Sequence, residues 1–273
     1  MDSEIALALP LDIVLPERGE RLEGVWIEPA APSAPTLIFL HEGLGCVALW
    51  RDFPARLAAA TGCGVLIYSR LGYGRSDPCA LPRPIDFMHH EGLSVLPAVI
   101  RQTGIGEHIL VGHSDGGSIA LIHAGRVATP GLKGVVTLAA HVFCEALTCE
   151  SIADARVRYL EGDLKARLAA YHGDNTDCAF WGWNDVWLHP DFRHWNIEAF
   201  LPGIGVPVLA IQGEKDPYGT RAQVDSIRQK TGSAVRVAMI PDCGHAPHLE
   251  KKDAVLATVG EFVRTLLADR QMA

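Results

Sequence analysis

No apolar run in this chain approaches the ~20 residues that a membrane-spanning helix needs, so no such helix is expected. Cys-x-x-Cys spacing is missing. The seven cysteines (Cys46, Cys63, Cys79, Cys144, Cys149, Cys178 and Cys243) are odd in number and scattered, which suggests neither a disulfide framework nor a zinc cluster and leaves buried or idle thiols as the expectation. The twelve histidines include no His-Glu-x-x-His, and the adjacent His89 and His90 cannot face one ion from a helix, so no metal is expected. A net charge of -8 without a basic stripe argues against nucleic acid and anionic membranes as partners. The start, Met1-Asp2-Ser3-Glu4, is acidic where a secretory signal is basic, and no apolar stretch with a cleavage site follows; a cytoplasmic protein is expected. There is no internal repeat and no low-complexity linker.

What is present is 273 residues, enough for one large or two small domains, with 48% hydrophobic residues. From Pro35 onward, short apolar β-branched runs alternate with amphipathic stretches, the pattern of a mostly parallel sheet covered by helices. Strands are expected at Pro35 to His41, Gly64 to Ser69, His108 to Gly112, Leu132 to Ala140, Val206 to Gln212 and Ala234 to Ile240, with a leading antiparallel pair at Ile5 to Val14 and Arg21 to Glu28. Helices are expected at Leu49 to Ala60, Glu91 to Thr103, Gly117 to Val127, Arg221 to Thr231 and Lys251 to Leu267. Between Ala140 and Val206 the alternation stops. That stretch holds Trp181, Trp183, Trp187 and Trp195, four of the six tryptophans, and reads as a helical cap over 144–202 inserted into a core formed by 1–143 and 203–273.

Gly112-His113-Ser114-Asp115-Gly116 directly follows the strand Ile109-Leu110-Val111 and directly precedes the helical run from Ile119. In that setting Gly-x-Ser-x-Gly describes a sharp strand-to-helix turn. Small residues two before and two after the serine let the backbones pass closely enough to push its hydroxyl outward. A serine hydroxyl attacks only if a base removes its proton, and the base needs an orienting carboxylate. Asp216, in Gly213-Glu214-Lys215-Asp216-Pro217, and His245, in Asp242-Cys243-Gly244-His245, both follow expected strands and so sit at the same sheet edge as Ser114. Glu214 competes as the acid but lies too close to its strand end. His248 competes as the base but falls in the first turn of the last helix.

With these residues the chain resembles the α/β-hydrolase superfamily over nearly its whole length. The likeness rests on His41-Glu42-Gly43-Leu44-Gly45, Gly72-Tyr73-Gly74-Arg75-Ser76, the turn at Ser114, the Gly213 to Pro217 loop and Gly244-His245. Within it, Ser114-Asp115-Gly116-Gly117 and Gly-Glu-Lys-Asp-Pro are similar to the valacyclovir-hydrolase-like members, which cleave amino-acid esters. The resemblance implies an α/β fold with a sheet of about eight mostly parallel strands and a helical cap, no metal and no organic cofactor. It places the oxyanion donors at the N–H of Gly43, with Leu44 as fallback, and the N–H of Asp115. Two departures stand out: Glu42 follows His41 where members often carry glycine, and Ser69 replaces a frequent aspartate, a change expected to affect loop packing only.

Further candidates to line a pocket are Glu42, Leu44, His141, Trp181, Trp183 and Trp187. Glu42 would oppose a developing negative charge, so it is expected to be hydrogen-bonded and structural. The Asp115 carboxylate either attracts a substrate ammonium or is a first-turn acid favoured by the helix dipole. The tryptophans favour an apolar or aromatic substrate group. The expected activity is hydrolysis of a small-molecule carboxylic ester through an acyl-enzyme. Hydrolysis of a carbon–carbon bond in a ring-cleavage diketone, or a non-catalytic ligand receptor on the same fold, are the alternatives. Haloalkane dehalogenation is disfavoured, because the turn carries serine where that chemistry uses aspartate. The pattern carries no signal for oligomeric state.

Overall fold

A computed structural model describes residues 8–127 and 130–269. In chain order the elements are β1 (Leu9–Val14), β2 (Arg21–Ile27), β3 (Thr36–Leu40), α1 (Phe53–Thr61), β4 (Gly64–Tyr68), α2 (Phe87–His90), α3 (Leu96–Thr103), β5 (His108–His113), α4 (Asp115–Arg126) and β6 (Leu132–Leu138). There follow α5 (Ala146–Glu161), α6 (Leu164–His172), α7 (Thr176–Trp187), β7 (Val208–Gly213), α8 (Arg221–Lys230), β8 (Val235–Ile240), α9 (Pro247–Glu250) and α10 (Lys252–Asp269). One eight-stranded sheet runs in the order β1-β2-β4-β3-β5-β6-β7-β8. Among the described residues, the β1–β2 and β2–β4 pairings of this sheet are antiparallel and the rest parallel.

The central strands are apolar on both faces because both faces are covered. Alternate residues of β3 divide between two cores: Ile38 and Leu40 pack toward α4 and the helices of the insertion, Leu37 and Phe39 toward α1 and α10. The long irregular stretch after β6 holds α5, α6, α7 and 3-10 turns at Pro190–His194 and Glu198–Gly203 before the chain re-enters the sheet at β7. The insertion between β6 and β7 is therefore helical.

Several boundaries differ from those read in the sequence. Ile5 to Leu7 of the first expected strand lie outside the described residues. The helix expected over Leu49 to Ala60 is a 3-10 turn, Val47–Trp50, followed by α1, because Arg51 takes φ 55° and Pro54 can enter a helix only in its first turn. The helix expected from Glu91 starts at Phe87 and passes through a π turn at Glu91–Val95. Strand β6 stops at Leu138, where Ala139 turns to φ 53°. Helix α4 starts at Asp115, two residues before the expected Gly117, so the serine turn has no spare residue.

That turn depends on two glycines. A Cβ on Gly112 would lie 2.3 Å from the Gly116 carbonyl oxygen, and one on Gly116 would lie 1.9 Å from the Leu40 carbonyl oxygen. Any side chain at either position would push α4 off β3 and β5. The carboxyl ends of β3, β5, β7 and β8 consequently converge on one edge.

Candidate active site

Ser114 takes φ 50° and ψ −118°, a conformation L-residues rarely adopt, held by the close α4 crossing and by donation of its N–H to the Leu138 carbonyl. Its Oγ lies 2.9 Å from His245 Nε2, and His245 Nδ1 lies 2.9 Å from both carboxylate oxygens of Asp216. With Nδ1–H donating to the carboxylate, Nε2 is left to accept the serine proton. Asp216 also accepts from the side-chain amide of Gln212 at 2.6 Å and from the Tyr218 N–H at 2.8 Å. Burial pushes its carboxyl up. The His245 hydrogen bond and charge, with the Tyr218 N–H, outweigh burial and hold it below the ordinary value. Glu214, the competing acid, is exposed. His248, the competing base, is buried against Trp50, Phe53 and His113, which pushes its imidazole down to about 3.

Ser114 and His245 open onto a cavity of about 150 Å³ lined also by Glu42, Gly43, Leu44, His141, Trp183 and Trp187. Thr148 and Ile152 of α5 and Tyr218 complete it, and none of the three stood out in the sequence. Tyr218 is two residues past Asp216 and swings its ring to 4.7 Å from that of His245. Gly43 sits directly under Trp183, whose indole a Cβ there would meet at 2.1 Å. Among the described residues, neither the Gly43 nor the Leu44 N–H donates to a backbone carbonyl. His141 lines the cavity with Nε2 donating to the Tyr218 carbonyl at 3.0 Å and Nδ1 without a partner among the described residues; burial pushes its imidazole down to about 4, so the ring is neutral.

Trp181 does not reach the cavity. It packs on Tyr159 and Phe180 beneath the Arg156 guanidinium. Trp183 and Trp187 are four residues apart and share a face of α7, whereas Trp181 is two residues from Trp183 and turned nearly opposite. The Asp115 carboxylate does not line the cavity either. It is fully buried, accepts from Trp187 Nε1 at 3.1 Å and lies 3.9 Å from the buried Arg70 guanidinium. Burial pushes this carboxyl up, with Arg70 and the Trp187 N–H offsetting only part of the rise.

No motif or spacing singles out Arg70, yet it organises the site. From the end of β4 it donates to the carbonyls of His41 and Glu42, at 2.6 and 3.1 Å, so it holds the loop that carries Gly43. Glu42 itself pairs with His113 Nδ1 at 3.3 Å, while His113 Nε2 donates to the His245 carbonyl at 2.7 Å. Burial lowers the His113 imidazole, but the Glu42 hydrogen bond and charge raise it above its ordinary value, and both ring nitrogens face acceptors, an arrangement that suits the doubly protonated ring. Ser69 accepts from the Val47 N–H and donates to Glu23, tying the turn after β4 to β2.

The doubly covered, mostly parallel sheet and a serine bonded to a histidine at its carboxyl edge define a hydrolase of the α/β class. The sequence profile of the alpha/beta hydrolase family matches residues 37–258, and the chain belongs to that family. It is 28% identical over 209 residues to the human protein "Serine hydrolase BPHL", covering 73% of this chain and 69% of that one. The solved structure of the esterase EaEST from Exiguobacterium antarcticum superposes with a TM-score of 0.74 at 19% identity, covering 94% of this chain and all of that one. A proline iminopeptidase from Mycobacterium smegmatis gives 0.69 at 22% identity, covering 96% of this chain and all of that one. No helix among the described residues is long and apolar enough to cross a membrane.

Proposed function

We propose that this protein is a serine hydrolase that cleaves a carboxylic ester of a small molecule through an acyl-enzyme, with Ser114 as nucleophile, His245 as base and Asp216 as its orienting acid. The observation that carries this reading is the hydrogen-bond chain from Asp216 through His245 to Ser114 Oγ, ending in a mainly apolar cavity. His245 takes the serine proton as Oγ attacks the carbonyl. The oxyanion forms against the N–H groups of Gly43 and Asp115 at the positive end of α4. His245 then protonates the leaving alcohol, and water activated by the same imidazole releases the acid.

The cavity is small beside the ~300–1,000 Å³ of sites for drug-sized ligands, which supports a short acyl group. His141 Nδ1 is an unpartnered acceptor in its wall, suited to a hydroxyl or N–H on the substrate. In this reading residues 144–202 act as a cap, because α5 and α7 supply Thr148, Ile152, Trp183 and Trp187 to the wall, while 1–143 and 203–273 form the core. The test is a panel of short neutral, aminoacyl and aromatic esters together with a vinylogous diketone, assayed on the wild type and on Ser114→Ala. Ester turnover that disappears in the variant supports the proposal. Turnover of the diketone alone, or failure of Ser114 to react with a fluorophosphonate, overturns it.

A further inference from the structure

Seven cysteines play no part in the chemistry above, but two of them meet. Cys79, in the loop beyond the Gly72 to Ser76 turn, and Cys178, in the first turn of α7, are 99 residues apart in sequence with sulfurs 3.0 Å apart. Both are partly exposed, and Cys79 lines an open cleft of about 440 Å³ that shares no lining residue with the cavity at Ser114. The two sulfurs and the Arg83 guanidinium converge on Gly72: a Cβ there would lie 2.6 Å from Cys178 Sγ, 2.7 Å from Cys79 Sγ and 2.8 Å from Arg83 Nη2. Cys144 and Cys149 also approach, at 3.4 Å, but a bond between them would close only a local loop at the start of α5. Cys79 and Cys178 instead join the sheet domain to the insertion.

We propose that Cys79 and Cys178 are a reversible oxidation site, at which hydrogen peroxide forms a disulfide that pins α7 to the core and restricts access to Ser114. In the neutral form the Cys178 thiol donates to the Cys79 carbonyl at 3.3 Å. Once ionised, it accepts from the Cys79 thiol and faces Arg83, and these interactions, the Cys79 hydrogen bond foremost, draw its pKa below that of an ordinary thiol; the same bond and burial push Cys79 up. The pair thus has an attacking thiolate and a resolving thiol. The Cys178 thiolate attacks peroxide, the O–O bond breaks, and a proton completes the water that leaves, giving a sulfenic acid. The Cys79 sulfur then displaces the sulfenic oxygen as a second water. In sum, two thiols and one peroxide give one disulfide and two waters, with two electrons passing to peroxide. A dithiol reductant reverses the bond.

The consequence follows from what else α7 carries. Trp183 and Trp187, further along the same helix, close the wall of the cavity over Ser114. A helix tied at its first turn cannot swing outward to admit substrate. The experiment treats the reduced full-length protein with equimolar hydrogen peroxide, blocks remaining thiols by alkylation, and follows peptides by mass spectrometry alongside ester hydrolysis. The expected result is a peptide linking Cys79 to Cys178 and a several-fold fall in kcat/KM, largest for bulky esters and restored by dithiothreitol. Cys79→Ser and Cys178→Ser should keep the reduced activity and lose the response, and the Cys144→Ser/Cys149→Ser double variant should keep both. If Cys178→Ser folds poorly, Cys79→Ala carries the comparison. Oxidation without the 79–178 peptide, or with it and no change in access, overturns the inference. The restriction of access rests on the hydrolase reading, whereas the linked peptide forms whatever bond Ser114 attacks, so the two can fail separately.

Discussion

Ser114 is held with its backbone in a strained region and its hydroxyl 2.9 Å from His245 Nε2, so in the proposed mechanism its reactivity depends on His245 and Asp216. Both Asp216 oxygens face donors: His245 Nδ1 reaches both, Gln212 one and the Tyr218 N–H the other. Asp216→Asn brings an NH₂ into that ring of donors and favours the imidazole tautomer that cannot accept the serine proton. We expect kcat on an ester to fall on the order of 10⁴-fold with KM little changed, read by steady-state kinetics. Gly43 is equally exacting for a steric reason. Gly43→Ala drives Trp183 from the wall, and the expected outcome is a loss of kcat/KM of ~10²-fold or more if the Gly43 N–H is an oxyanion donor. The Asp115 carboxylate, being sealed between Trp187 and Arg70, gives no reason to prefer amines. Asp115→Asn should therefore lower activity on aminoacyl and neutral esters of equal size alike, and a selective loss on the aminoacyl ester would contradict this placement.

At the scale of elements, one buried guanidinium joins three of them. Arg70 follows β4, grips the loop after β3 through two carbonyls and faces the first residue of α4. Arg70→Met leaves those carbonyls without this donor and the buried Asp115 carboxylate without its neighbouring cation, and removing one member of a buried charged pair typically costs ~3–5 kcal/mol. Urea unfolding should show a loss of that size, and adding Asp115→Asn should recover part of it, because the two residues share one interaction. The division of labour along α7 also belongs here. Its sequence shows a cluster of tryptophans, but helical geometry sends Trp183 and Trp187 to one side and Trp181 to the other, so Trp181→Ala should disturb packing more than substrate selection.

For the whole molecule, the Glu42–His113 pair links the loop after β3 to the backbone of the His245 loop and makes stability depend on pH. The His113 pKa is raised above its ordinary 6.5, so the pair's contribution is complete below that pH and is lost as pH rises through the raised value. The Glu42 pKa is depressed by the His113 hydrogen bond and charge against the effect of burial, so its contribution is lost only on falling below the ordinary carboxylate range. Glu42→Gln should consequently lower Tm at pH 6 and do so less as pH rises, measured by thermal melts across pH 5.5 to 9. A difference that grows with pH would reject the assignment of charge to His113.

The parallel sheet, the helical insertion and the placement of Ser114, Asp216 and His245 at one sheet edge were legible in the chain alone. Strand periodicity and the obligatory glycines of the turn are local, and residues just past parallel strands must share an edge. Tertiary structure alone decided where side chains point and what they meet. Nothing near Arg70 in the chain announces the carbonyls of His41 and Glu42, and nothing near Cys79 announces Cys178. The same holds for Asp115: its place at the first turn of α4 was legible, but whether its carboxylate faced substrate or Arg70 depended on a guanidinium 45 residues earlier, brought beneath it only when β4 and β5 flanked β3.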